Sequence, residues 1–290
     1  MQKLALHQIT MMDGGPEGLV RFAAEAGLDG ICLFTATPLD ANGRDMFPVV
    51  DPATATSFKR LLRDHDVGII NAEYFPVMAE IDVAEYRPAI GLAAELGAKR
   101  LVTHIHEPDQ QRAEDQLPKL CAMAFAHGLE VGMEFTGFSA GCNSLSAAVA
   151  LHGRVNLPHL TIAIDALHLF RTGGTLEQVQ AVDPAAIGYV QLCDGPDFQL
   201  SNDYLDEAMN RMIPGEGVFP LRKLVALLDP HVDIDIEVPS FVDSEGSEAK
   251  AWAHRAVTAS RNMFDQDGGV GGILTGGKSD RSSQSFPDWS

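Results

Sequence analysis

Three carboxylates and one carboxamide stand at the ends of four successive apolar runs. Glu134 closes LEVGME, Asp165 closes LTIAID, Gln191 closes IGYVQ and Glu237 closes VDIDIE. Acids gathered in a low-dielectric place repel one another and take up protons unless a cation lies between them. A shared divalent ion accounts for the grouping. Oxygen-only ligation with no thiolate fits Mn²⁺ or Mg²⁺ first and accommodates Co²⁺ or Zn²⁺. Such an ion polarises a substrate carbonyl, and the neutral amide of Gln191 leaves it a stronger Lewis acid than a further carboxylate would. Any one of these residues alone reads as a solvated or salt-bridged acid; four in register set the group apart.

Further polar residues follow other apolar runs: His7 the first, Glu73 the third in IINAEY, and His104 and His106 the fourth in LVTHIHE. A histidine here can act as a general base or bind a substrate hydroxyl, because its ordinary pKa lies near neutrality. A hydrogen-bonded structural histidine is the equal alternative. One of the pair His104 and His106 is expected to address a cavity, and His104 is the first choice as a catalytic base. His7 and Glu73 are taken as substrate-binding candidates.

The elements that must position these groups are legible as a repeating unit of amphipathic stretch, Gly- or Pro-containing break, and short apolar run. The runs are Leu4 to Leu6, Gly30 to Phe34, Gly68 to Ala72, Arg100 to Thr103, Leu129 to Met133, Leu160 to Ile164, Ile187 to Val190 and Val232 to Ile236. Their continuous hydrophobicity predicts strands covered on both faces. Helical periodicity appears in Gly18 to Ala26, Ser57 to Asp66, Ala84 to Leu96, Leu117 to Ala126, Ser144 to His152, Thr175 to Val182, Pro220 to Leu228 and Ser247 to Met263. Strands alternating with helices in this number predict a (β/α)₈ TIM barrel, whose strand ends converge on one mouth. No G-x-G-x-x-G follows the first strand, which argues against an open, doubly wound sheet.

Composition bounds the partners. With 21 Lys and Arg against 40 Asp and Glu, the formal charge is −19, so nucleic acid and anionic membrane surfaces would be repelled. No apolar run approaches the roughly 18 residues of a membrane span, and MQKLALHQIT is too short and polar for a secretory core; a cytoplasmic protein is expected. Cys32, Cys121, Cys142 and Cys193 lack C-x-x-C spacing and are expected to be buried free thiols. The barrel is expected over residues 1–265, and 266–290, with GGVGG and TGGKSDRSSQS, to be a flexible Gly/Ser-rich tail.

GMEFTG, IAIDALHLFRTGGT, GYVQLCDG, RMIPGEGVFPL and IEVPS together resemble the xylose-isomerase-like sugar phosphate isomerase/epimerase superfamily. The resemblance implies a (β/α)₈ barrel with one divalent ion on Glu, Asp, His or Gln, and Glu, matched here by Glu134, Asp165, Gln191 and Glu237. Asp165-Ala-Leu-His168 is similar to the family's D-x-x-H, which implies that His168 lies beside metal or substrate. Arg211, ahead of Pro214-Gly215-Glu216-Gly217, is similar to its substrate-binding arginine, and Arg171 is a further substrate-binding candidate. Cys32 stands where the family often has Glu, and Tyr189 where it often has His. Gln191 is shared with some hydroxypyruvate isomerases and bacterial 3-dehydroshikimate dehydratases, whereas many epimerases have His.

The activity so implied is a metal-dependent isomerase or epimerase of a sugar-like hydroxy-carbonyl substrate, working through a metal-stabilised enolate, with Glu134 and Glu237 shuttling protons. A carbon–oxygen lyase of the 3-dehydroshikimate dehydratase kind is the alternative. A non-catalytic barrel that binds a small molecule is the alternative of another class. Multi-zinc cleavage of damaged DNA is disfavoured by the acidity. The expected partner is a small-molecule substrate, and a homo-oligomer is compatible with the sequence.

Overall fold

The computed structural model describes residues 2–39, 43–240 and 246–264; the expected tail at 266–290 lies outside the described residues. Eight strands close in sequence order into a parallel barrel, β1 to β8. They are β1 (Leu4–His7), β2 (Gly30–Phe34), β3 (Gly68–Glu73), β4 (Arg100–His104), β5 (Glu130–Glu134), β6 (Leu160–Asp165), β7 (Ile187–Leu192) and β8 (Asp233–Ile236). Closure comes from β1 pairing β8, with Leu6 opposite Ile236. The outward side chains Leu6, Ile31, Leu101, Val131, Ile162, Val190 and Ile234 join one core with the surrounding helices, which is why the runs are apolar on successive residues.

The described helices are α1 (Gly15–Glu25), α2 (Ala55–Asp64), α3 (Arg87–Leu96), α4 (Gln110–Ala126), α5 (Leu145–Val155), α6 (Ala166–Arg171), α7 (Leu176–Ala181), α8 (Tyr204–Met209), α9 (Leu221–Ala226) and α10 (Gly246–Arg261). Helix α4 begins at Gln110 rather than at the expected Leu117. Asp109 caps it by accepting the Arg112 N–H at 2.9 Å, and Gln110–Glu114 and Gln111–Asp115 bonds of 2.8 and 3.0 Å support its polar first turns. Helices α6 and α8 were not expected from periodicity; both carry residues that matter at the mouth.

The inside of the barrel is filled in layers. At its lower end Arg100, 1% exposed, donates to Asn71 at 3.0 Å and pairs with Asp233 at 3.1 Å, while its guanidinium lies 5.2 Å from the Tyr189 ring centre. Above it Val102, Ala163 and Tyr189 form a separate inner cluster. Gly132 makes room for that tyrosine, since a Cβ there would come within 2.7 Å of the Tyr189 ring. The bulk of Tyr189 therefore serves packing inside the barrel.

Candidate metal and substrate site

Strand ends bring the expected ligands together. Glu134 is the last residue of β5 and Asp165 the last of β6; Gln191 is the penultimate residue of β7, and Glu237 follows β8 directly. All four are buried, at most 5% exposed. Asp165 also caps α6, its Oδ1 accepting the His168 N–H at 2.9 Å, so the carboxylate orientation and the start of that helix are fixed together. Asp165 Oδ2 accepts from Arg211 at 2.5 Å, and Arg211 reaches Glu237 Oε1 at 2.9 Å. Gln191 donates its side-chain N–H to Glu237 Oε2. That contact turns Gln191 Oε1 the other way, and this buried oxygen has no hydrogen-bond partner.

The remaining candidates fall on both sides of this group. His104 Nε2 lies 3.5 Å from Glu134 Oε2 and His168 Nε2 3.7 Å from Oε1 of the same carboxylate. The Tyr204 hydroxyl bonds His168 Nδ1; with the hydroxyl donating, the ring proton sits on Nε2 and faces Glu134. His104 lines the cavity. His106 does not: β4 ends at His104, and His106 Nε2 turns to the Tyr74 hydroxyl at 2.9 Å while its ring stacks on Phe138. Arg211 lines the cavity but is held by Asp165 and Glu237. Arg171 is not among the lining residues; its buried guanidinium clamps Asp197, between β7 and α8, and Glu207 of α8.

Glu73 and His7 meet at the opposite wall, Oε1 to Nε2 at 3.5 Å. Cys32 Sγ lies 3.3 Å from Glu73 Oε1, and His7, Cys32 and Asp235 make a second buried group of metal-ligand type. His7 Nδ1 lies 3.2 Å from the Ile9 backbone nitrogen; burial opposes charge on the ring, but Glu237, Glu73 and Asp235 outweigh it and raise its pKa to about 9, so Nε2 carries a proton facing Glu73. The ring is therefore a donor there, and the group is a hydrogen-bonded network rather than a ligand set. Cys32 and Asp235 were not singled out as site residues. The D-x-D-x-E spacing of Asp233, Asp235 and Glu237 was the available signal, because residues two apart on a strand share a face.

Electrostatics divides the mouth. Burial disfavours charge on Asp165, yet Arg211 and His168 hold it below the usual carboxylate range. Burial pushes Glu237 up to about 8, Arg211 and His7 opposing and Asp165 and Glu134 adding to the rise. Burial also opposes charge on His104, but Glu134, Glu73 and Asp165 outweigh it and raise its pKa. His168 is pushed down to about 3, mainly by burial. Adjacent groups driven to opposite protonation states are the equipment of acid–base catalysis.

The donors fit a divalent ion. Glu134 and Asp165 oxygens lie within 4.8 Å of each other and of a His168 ring nitrogen, and Gln191 supplies the orphaned oxygen that no protein donor satisfies. Residues 20–255 match the model of the xylose isomerase-like TIM barrel. The chain belongs to that family. No curated protein matches it in sequence. Among solved structures, the IolI protein with a bound zinc atom superposes with a TM-score of 0.72 at 16% identity, over 90% of this chain and 96% of that one. The probable 3-dehydroshikimate dehydratase AsbF of Bacillus anthracis gives 0.69 at 18%, over 92% and 100%. A D-allulose 3-epimerase from Methylomonas sp. gives 0.67 at 16%, over 91% and 98%. At these identities the likeness is one of fold. Proteins that share this fold thus include an epimerase, a probable dehydratase and one with a bound zinc atom.

Proposed function

We propose that the chain is a divalent-metal-dependent isomerase or epimerase of a small, sugar-like hydroxy-carbonyl compound, with Mn²⁺ or Mg²⁺ as the first choice of ion. The reading is carried by one observation: the unpartnered Gln191 Oε1 lies in a buried mouth with three carboxylates from neighbouring strands. An ion held by Glu134, Asp165, Gln191 and Glu237 supplies Lewis acidity that loosens the hydrogen beside a substrate carbonyl.

The protein's own groups do the proton work. Glu134 and Glu237 approach from β5 and from beyond β8, so one takes the carbon-bound proton and the other returns one to the second face. His104, 3.5 Å from Glu134, keeps that carboxylate oriented and exchanges its proton. Arg211 orients Asp165 and Glu237. A lyase is the second reading, favoured by the chain from Tyr204 through His168 to Glu134, which offers a proton to a departing hydroxyl.

The test pairs elemental analysis with turnover. Native protein and the Glu134→Gln, Glu237→Gln double variant are analysed for metal. Both are then supplied with ketoses, hydroxypyruvate and 3-dehydroshikimate in ²H₂O, with and without chelator. Stoichiometric metal lost in the variant, with chelator-sensitive uptake of deuterium at the carbon beside the carbonyl, is the expected result. Loss of water instead of exchange identifies the lyase. Native protein that takes up no metal after remetallation overturns the proposal and leaves a binding barrel.

A further inference from the structure

Half of the cavity wall has no part in acid–base chemistry. Phe34, at the end of β2, stacks on Phe47 with ring centres 4.6 Å apart and planes 18° apart. With Ile9 they form an apolar cluster separate from the main core, against which Met209 of α8 packs. All four line the same cavity as Glu134 and Glu237. Large apolar side chains outside the core and facing a cavity are what a ligand's apolar surface is built against.

This wall is held in place before any ligand arrives. Gln8, fully buried, accepts the Phe34 N–H at 3.0 Å and donates to the Pro48 carbonyl at 2.6 Å. It thereby ties the end of β2 to the segment carrying Phe47. Thr37 Oγ1 accepts the Phe47 N–H at 3.0 Å.

The cations of the cavity are already engaged: His7 faces Glu73 and His104 faces Glu134, each at 3.5 Å. Among the described residues, Arg211 is the one Lys or Arg that lines the cavity, and its guanidinium is engaged by Asp165 and Glu237. A phosphate or carboxylate seated against the phenylalanine wall would lose its hydration without a partner, in a chain of net charge −19.

The geometry points to a substrate whose hydroxy-carbonyl end lies over Glu134 and Glu237 and whose other end is uncharged and apolar, packed against Phe34, Phe47 and Met209. The inference rests on the metal-dependent reading of the mouth and adds the class of substrate. Phosphorylated sugars and sugar acids are excluded by it; deoxy, alkyl- or aryl-bearing hydroxy-ketones are included.

Calorimetric titration of the Mn²⁺-loaded full chain tests it with four probes: hydroxyacetone, 1-hydroxy-2-butanone, 2-hydroxyacetophenone and dihydroxyacetone phosphate. The added methylene is expected to tighten binding about fourfold, and the phenyl compound to bind more tightly still. Phe47→Ala is expected to weaken the phenyl compound more than it weakens hydroxyacetone. Met209→Lys, at a half-buried position that tolerates a long side chain, is expected to reverse the order in favour of dihydroxyacetone phosphate. Should the native protein prefer dihydroxyacetone phosphate, or gain nothing from methylene or phenyl while binding hydroxyacetone metal-dependently, the apolar subsite is overturned and the metal reading stands. Binding of no probe in a metal-dependent way overturns both.

Discussion

Arg211 is the most consequential single residue at the mouth. It stands between Asp165 and Glu237, in electrostatic terms where a cation shared by those carboxylates would act. Removing one partner of a buried ion pair leaves an uncompensated charge, at a cost of about 3–5 kcal/mol. Arg211→Met is therefore expected to lower unfolding stability by about that much in chelator, and by distinctly less with Mn²⁺ present. An equal loss under both conditions would show that no ion reaches these carboxylates. His106 supplies a pH test. Its pKa, lowered to about 3 chiefly by burial and secondarily by His104, lies below the ordinary 6.5, so the unfolded chain takes the proton first as pH falls. Stability from the neutral ring is whole above pH 6.5 and is lost between about 6.5 and 3. Relative to His106→Phe, the native protein should lose about 1.4 kcal/mol per pH unit at the steepest, read by denaturant unfolding at pH 7.5, 6 and 5. A constant difference would mean that the folded ring protonates normally.

At the level of elements, the strands and the outer helices were readable because burial on both faces, or on one stripe, leaves its mark on the residue pattern. Glu134, Asp165, Gln191 and Glu237 were readable for the same reason: each ends such a run. Helices α6 and α8, six residues each, were not. Every residue of α6 is buried, which erases periodicity, and α8 is too short to display any. The roles of Tyr204 and Met209 went unseen with α8. The partnership of Phe34 with Phe47 was invisible for another reason, since it depends on how Gln8 folds one loop across the mouth. Arg211 was noticed, but its engagement with two carboxylates needed three dimensions. The PGEG turn has a structural explanation too. Asp194, 1% exposed, accepts N–H groups from Gly195, Gly215 and Phe219 at 2.9, 2.8 and 3.0 Å, and a Cβ at Gly217 would come within 2.3 Å of its Oδ1. Asp194→Ala orphans those donors and should cost about 1–3 kcal/mol, with a larger loss of activity than of stability if the Arg211 segment loosens. Thermal unfolding beside turnover reads both, and an unchanged melting temperature would refute the anchoring role.

For the molecule as a whole, closure of β1 on β8 leaves no sheet edge, and the lower end of the barrel is filled by Arg100, Asp233, Asn71 and Tyr189, each at most 3% exposed. Among the described residues no helix is long and apolar enough to cross a membrane. The filled floor makes the barrel a vessel with one opening, and in such a vessel the order of loading dictates the order of unloading. Glu134, Gln191 and Glu237 line the same cavity as Phe34 and Phe47, so whatever settles on them shares its way out with whatever rests against the phenylalanines. A seated ligand then works as a stopper: chelator must wait for it to leave, and the rate of metal loss reports occupancy of the mouth without any chemistry taking place.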